Sequence, residues 1–195
     1  KSLTIDPVKT GFSEYELKMG SIQTIMAGTG ESLDTVNRYL NELNKYSDDT
    51  IYSFKDMTSN IGKFTNAGVK LEDAVLAIKG ISNEAALSGA NANEASRAMY
   101  NFSQALSSGF VKLIDWKSIE LANMATKDFK EQLIQTAVEV GTLKKGADGM
   151  YDVANVVSKA NATSLNATKN FNDSLGNQWM TTEVLIGTLR KYADE

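Results

Sequence analysis

Residues 80–109 read GISNEAALSGANANEASRAMYNFSQALSSG, a stretch rich in Ala, Ser, Asn and Gly and poor in charge. This composition is found both in flexible low-complexity segments and in helices that pack closely around a turn. Apolar residues at helical spacing favour the second interpretation, because a flexible linker would lack them. These residues form two apolar faces. The first begins before the stretch and ends inside it, at Leu71, Val75, Ile78 and Ile81. The second lies wholly inside it, at Ala95, Met99, Phe102 and Leu106.

A turn at about residues 88–91 separates the two predicted helices. Asn91 and Glu94 have the spacing of a capping box, in which each side chain accepts a hydrogen bond from the backbone N–H of the other residue. Small residues on both sides of the turn would let the two backbones approach closely. The stretch is therefore predicted to be a helical hairpin.

Two further helices are predicted on the N-terminal side of this hairpin. The first has Ser32 as its N-cap and an apolar face made of Leu33, Val36, Leu40 and Leu43. The second has an apolar face made of Ile51, Phe54, Met57, Ile61 and Phe64. Asp48 and Asp49 precede it, where acidic side chains suit the positive end of the helix dipole. Asn66-Ala67-Gly68 is expected to end it, since glycine tolerates a left-handed backbone.

The C-terminal side is predicted to contain three more helices. After a short apolar link at residues 110–114, Asp115 is expected to cap a helix that carries Trp116, and Thr126 to cap the next. Asp148-Gly149 is typical of a tight turn between short β-capable runs, which permits a small hairpin docked on the helices. Residues 158–168 are interpreted as a connecting loop, and a final helix starts at Thr181 or Thr182.

The predicted fold class is mainly α, a compact multi-helix domain of short packed helices with one small β-hairpin near residues 141–153. Residues 1–31 are assigned to an N-terminal extension and a first helical segment. Residues 32–140 form the helical core, and residues 141–195 hold the hairpin, the connecting loop and a C-terminal helix packed on that core. The chain begins with Lys1, and we interpret it as an internal or trimmed fragment of a longer protein.

Composition excludes several classes of function. The 20 basic and 24 acidic residues are spread along the chain, and no basic block indicates a direct nucleic-acid site. No stretch approaches the roughly 18 apolar residues of a membrane-spanning helix. His and Cys are absent, which removes Ser-His-Asp and Cys-His catalysis and ordinary zinc sites. No cofactor is predicted.

Weaker catalytic and binding patterns have simpler explanations. Gly28-Thr29-Gly30 lacks the Gly-Lys-Ser/Thr that a phosphate-binding loop needs, so a turn between helices is favoured. Asp48-Asp49 lacks the alternating oxygen ligands of an EF-hand, and helix capping is favoured. Lys112, Lys117 and Ser118 lie close in sequence without a recognisable Ser-Lys catalytic pattern. The sequence does not exclude a catalytic pair of carboxylates like that of a glycosidase. With 24 acidic residues, however, some pair will always fit the requirement, so the pattern is weak.

The two tryptophans, Trp116 and Trp179, are the only residues that we single out as candidate sites. We favour their interpretation as anchors between packed elements. The alternative is that one of them is an exposed aromatic contact for a partner protein.

An ordered set of short motifs resembles the tape-measure domain of bacteriophage tail tape measure proteins. The motifs are YSF at residues 52–54, DMT at 56–58, KF at 63–64, GV at 68–69, GIS at 80–82, AA at 85–86, QA at 104–105 and DWKSI at 115–119. The similarity covers at least residues 48–126, and more loosely residue 11 to the end. Any one motif is weak, but the set in this order is fairly specific.

The resemblance implies a structural, non-catalytic component of a long-tailed phage or a prophage-like particle. It implies a place in the tail lumen after assembly in the bacterial cytoplasm, and a role in tail assembly and length determination. The implied partners are other tail proteins, such as tail tube or baseplate components, and further copies of the same chain. Two alternatives remain: a host-entry module, or a carboxylate-dependent cell-wall hydrolase domain of a tail protein. A secreted helical effector or adaptor is a third.

Overall fold

The computed structural model describes residues 20–154 and 166–194. The chain divides into two compact units, Lys1–Val75 and Leu76–Glu195. Their boundary falls inside one helix, Leu71–Ser88, which starts in the first unit and continues into the second. The division predicted at residues 31 and 140 stays a prediction.

Unit 1 is built from helices. The described part of α1 spans residues 20–29; α2 spans Leu33–Asp48, α3 spans Phe54–Asn66 and α4 spans Leu71–Ser88. Helices α2 and α3 pack against each other. The core of this unit is made of side chains from these helices that are fully or almost fully buried, including Ile25, Val36, Leu40, Leu43, Met57, Ile61 and Phe64.

Unit 2 continues from α4 with α5 at Ala92–Ser107, α6 at Leu113–Leu121 and α7 at Lys127–Val140. Strands β1, Leu143–Lys145, and β2, Tyr151–Val153, form an antiparallel hairpin in which Leu143 is paired with Val153. The short helix α8, Phe171–Ser174, runs into a 3₁₀ turn at Leu175–Asn177, and α9 spans Thr182–Tyr192. The mainly α fold class with one small hairpin is confirmed.

The hairpin predicted from residues 80–109 is confirmed in detail. Helix α4 ends at Ser88 and α5 begins at Ala92. Asn91 Oδ1 accepts a hydrogen bond from Glu94 N at 3.0 Å, and Glu94 Oε2 accepts one from Asn91 N at 2.8 Å, which completes the capping box. Gly89 between the helices has a φ of +77°, a conformation that a side chain would strain.

Three other predicted helix starts are confirmed by the same kind of hydrogen bond. The side chains of Ser32, Thr126 and Thr181 each accept from the backbone N–H three residues later, at the starts of α2, α7 and α9. These caps satisfy donors that the first turn of a helix leaves without a partner. Short polar side chains therefore set the helix boundaries in both units.

The predicted start of α3 was wrong. Asp48 is the last residue of α2 and Asp49 caps its C-terminus, so neither precedes α3 directly. Helix α3 begins at Phe54, and Ser53 Oγ caps it by accepting from Asp56 N at 3.1 Å. Ile51, which the apolar pattern placed in the helix, lies before it and is 71% exposed.

Helix α6 starts earlier than predicted. It begins at Leu113, and Asp115 lies at its third position, where Oδ2 accepts from Lys112 N at 3.0 Å. Asp115 is therefore the N3 residue of α6, whose side chain accepts from the backbone of the N-cap residue Lys112, and it is not the N-cap residue itself. The reason lies before the helix: Val111 N donates to Met180 O at 2.8 Å, and Thr182 N donates to Gly109 O at 3.0 Å. This backbone pairing holds residues 109–111 against residues 180–182, so the predicted apolar link ends at Val111 and the helix begins at Leu113.

Most of the predicted connecting loop at residues 158–168 lies outside the described residues, as do residues 1–19 of the N-terminal extension. The described end of the loop contacts the hairpin. Asn166 pairs with Asp152 on β2, and its Nδ2 donates to Asp152 Oδ1 at 2.9 Å.

The C-terminal helix α9 is seated in unit 2 by small residues. Gly80 of α4 lies so close to the Leu189 carbonyl that an added Cβ would overlap it. On another side, Gly187 lies beside Thr136 of α7, and Thr188 Oγ1 donates to Thr136 Oγ1 at 2.8 Å. Asn83 Nδ2 donates to Tyr192 O at 2.7 Å, which satisfies a carbonyl at the end of α9. Gly80 thus lets the backbones of α4 and α9 approach closely, Gly187 leaves room for the Thr136 side chain, and polar side chains add hydrogen bonds between these helices.

Gly80→Ala tests whether this close approach sets the stability of unit 2. Helix propensity alone predicts a gain of about 1 kcal/mol, because alanine favours helix interiors over glycine. We expect the opposite sign, a net loss of about 1–3 kcal/mol in the free energy of unfolding, because the new methyl group would force α9 away from α4. Urea denaturation followed by circular dichroism measures the change.

Gly176→Ala is the matched control, since a Cβ at this position would meet no atom of the described chain within 4 Å and the φ of Gly176 is not positive. It should leave stability unchanged or raise it by about 0.4–1 kcal/mol. A Gly80→Ala protein as stable as the control would show that α9 can shift at no cost.

Candidate functional site

Trp116, the first of the two predicted site residues, is fully buried in unit 2. Helix α6 carries it inward, where its ring stacks on Phe129 of α7 with centroids 6.1 Å apart. Phe171 of α8 lies on it at 4.8 Å. The indole therefore joins three helices, since each of its ring contacts comes from a different element.

Trp179 is 1% exposed and lies just before α9. Its ring meets Phe171 edge to face at 5.6 Å, and its Nε1 donates to Ser174 Oγ at 2.9 Å. Phe129 also meets Tyr192 of α9 edge to face at 5.8 Å. Trp116, Phe129, Phe171, Trp179 and Tyr192 thus form one connected aromatic cluster, and neither tryptophan is on the surface of the described chain.

The two indoles differ in their polar atoms. Trp179 Nε1 has Ser174 as its acceptor, whereas Trp116 Nε1 is buried with no hydrogen-bond partner among the described residues. A buried donor without an acceptor loses its hydration and gains nothing in return. Packing of the ring, rather than a hydrogen bond from the indole, is therefore what holds Trp116 in place.

The cluster has members that sequence reasoning missed. Phe171 touches both tryptophans, and Ser174 receives the indole N–H, yet neither was predicted to matter. Helix α8 has four residues, so it contains too little sequence to show a helical period. The only available signal was Phe171 itself, an aromatic residue in an otherwise polar segment.

Helix α6 has an outward apolar side as well as an inward one. Trp116 and Ile119 are buried, while Ile114 and Leu121 are 75% and 74% exposed. Ile114 and Leu121 are seven residues apart, so they lie on the same side of the helix. These are the most exposed large apolar side chains of the described chain.

Unit 1 contains a cavity of about 590 Å³ at the ends of α1 and α3 and the side of α2. Its lining includes charges of both signs, Glu31, Arg38, Lys70 and Glu72, together with the ring of Tyr39. The Arg38 guanidinium lies 4.8 Å from the centre of that ring. The side chains of both cations and both carboxylates are exposed to solvent, so the charges around the cavity are mixed and hydrated.

Two acidic side chains of unit 2 have structural partners. Glu84 is 2% exposed and accepts from Thr126 Oγ1 at 3.0 Å, at the N-terminus of α7. A hydrogen bond from the Asn172 side chain, with nearby Lys117 and Lys130, lowers the pKa of Glu120. Glu120 is therefore ionised at neutral pH, and it stabilises the fold until the pH falls through that lowered pKa. A general acid would need a raised pKa instead.

Metal ligands and the weaker sequence patterns can also be placed. Within residues 20–154 and 166–194, no three acidic, His or Cys side chains come together as a metal site. Gly28-Thr29-Gly30 ends α1 before α2, as predicted. Ser118 Oγ donates to Ile114 O at 3.4 Å, and Lys117 pairs with Glu120 at 3.3 Å. The helices of this described part also include none long and apolar enough to cross a membrane.

A family model described as tape measure protein matches residues 10–189. The match extends well beyond both ends of the region that carries the motifs, residues 48–126, and it confirms the resemblance. No curated protein and no solved structure matches the chain.

Paired Trp→Phe substitutions test the roles of the two indoles. Both remove a similar part of a buried ring, but only Trp179→Phe removes a hydrogen bond. We expect Trp179→Phe to lower the free energy of unfolding by about 1 kcal/mol more than Trp116→Phe, the net contribution of one buried hydrogen bond. Urea denaturation of both variants measures the difference, and equal losses would mean that the Ser174 bond contributes nothing to stability.

Proposed function

Because the chain belongs to the tape measure protein family, whose members are structural components of phage tails, we propose that it is a structural, non-catalytic tail module. In this proposal it acts in tail assembly and length determination through contacts with other proteins. The observation that carries the proposal is the family match over residues 10–189. The buried tryptophans and the capped helices support a structural role, since both belong to the packing of the described residues.

The proposed mode of action relies on short, folded helices rather than on one continuous helix. A continuous α-helix of all 195 residues would be about 290 Å long at about 1.5 Å per residue. Helix α4, the longest of the helices α2 to α9 in the described chain, has 18 residues, and turns or caps interrupt the helical path on both sides of it. These residues would therefore add far less length to a tail than the same number of residues in one extended helix.

The proposed partners are tail proteins, either tail tube or baseplate components, and further copies of the chain. The proposed location is the tail lumen, reached during assembly in the bacterial cytoplasm. The mixed surface charge supports contacts with proteins more than with nucleic acid, since both signs line the cavity of unit 1.

The proposal also includes the absence of catalysis. His and Cys do not occur in the sequence. The lowered pKa of Glu120 makes it a poor proton donor. Under this proposal we expect purified protein to release no soluble fragments from peptidoglycan, and release that is lost on a single Asp or Glu substitution would contradict this part.

Tail length after in-frame deletion of residues 1–195 from the gene that encodes them tests the structural role. We expect absent or aberrant tails, or tails shortened by much less than about 290 Å, the length of the same residues as a continuous helix. Electron microscopy of purified particles measures the lengths. Shortening by the full helical length would show that these residues act as an extended ruler, and normal infectious particles would contradict the proposal.

A point variant distinguishes an effect of the folded structure on tail assembly from an effect of the number of residues alone. Gly80→Leu keeps all 195 residues but places a large side chain against the Leu189 carbonyl. It should reproduce the assembly defect of the deletion, whereas Gly176→Ala should give normal tails. Normal tails with Gly80→Leu would indicate that chain length alone matters.

A further inference from the structure

We draw no further inference here: the strongest candidate, the exposed apolar side of α6 that holds Ile114 and Leu121, carries none because nothing in the described part of the chain shows what covers it.

Discussion

The close approach of Gly80 to the Leu189 carbonyl is the constraint on which the rest of unit 2 depends. No residue with a side chain could occupy that position in α4 without displacing α9. Because α9 lies there, Thr188 reaches Thr136 of α7, and the last carbonyl of α9 reaches Asn83. The absence of a Cβ atom at Gly80 thus allows α9 to pack against both α4 and α7. Tyr192 of α9 then joins the aromatic cluster through its contact with Phe129.

The aromatic cluster links elements that are far apart in the chain. Trp116 comes from α6, Phe129 from α7, Phe171 from α8 and Tyr192 from α9, while Trp179 precedes α9. Large rings bury much apolar area each, so few contacts suffice to hold short helices together. This explains how α8, with four residues, keeps a defined place: Phe171 contacts both indoles. Both tryptophans belong to this interior.

A protein that measures length along a tail would do so most simply as one extended helix, but the described residues form short, capped helices. The caps at Ser53, Asn91, Thr126 and Thr181 each stop a helix from extending towards the N-terminus. Each of these helices therefore spans only a small part of the length that one continuous helix of the same residues would have. Ile114 and Leu121 are exposed on α6, so the outward side of this helix is not uniformly polar.

The sequence by itself determined the helical class, the hairpin of α4 and α5, the β-turn at Asp148-Gly149 and four of the helix caps. All of these depend on residues within a few positions of each other, where spacing and cap chemistry act locally. Only the tertiary structure decided the start of α6, the place of Phe171 and the rings that contact each tryptophan. The start of α6 follows from pairing of residues 109–111 with residues 180–182, and Phe171 owes its place to rings on other elements. Gly80 is a further example of what the local sequence does not show. By helix propensity it is an unfavourable residue within α4. Its part in the packing of α9 depends on Leu189, which is distant in sequence and lies against it.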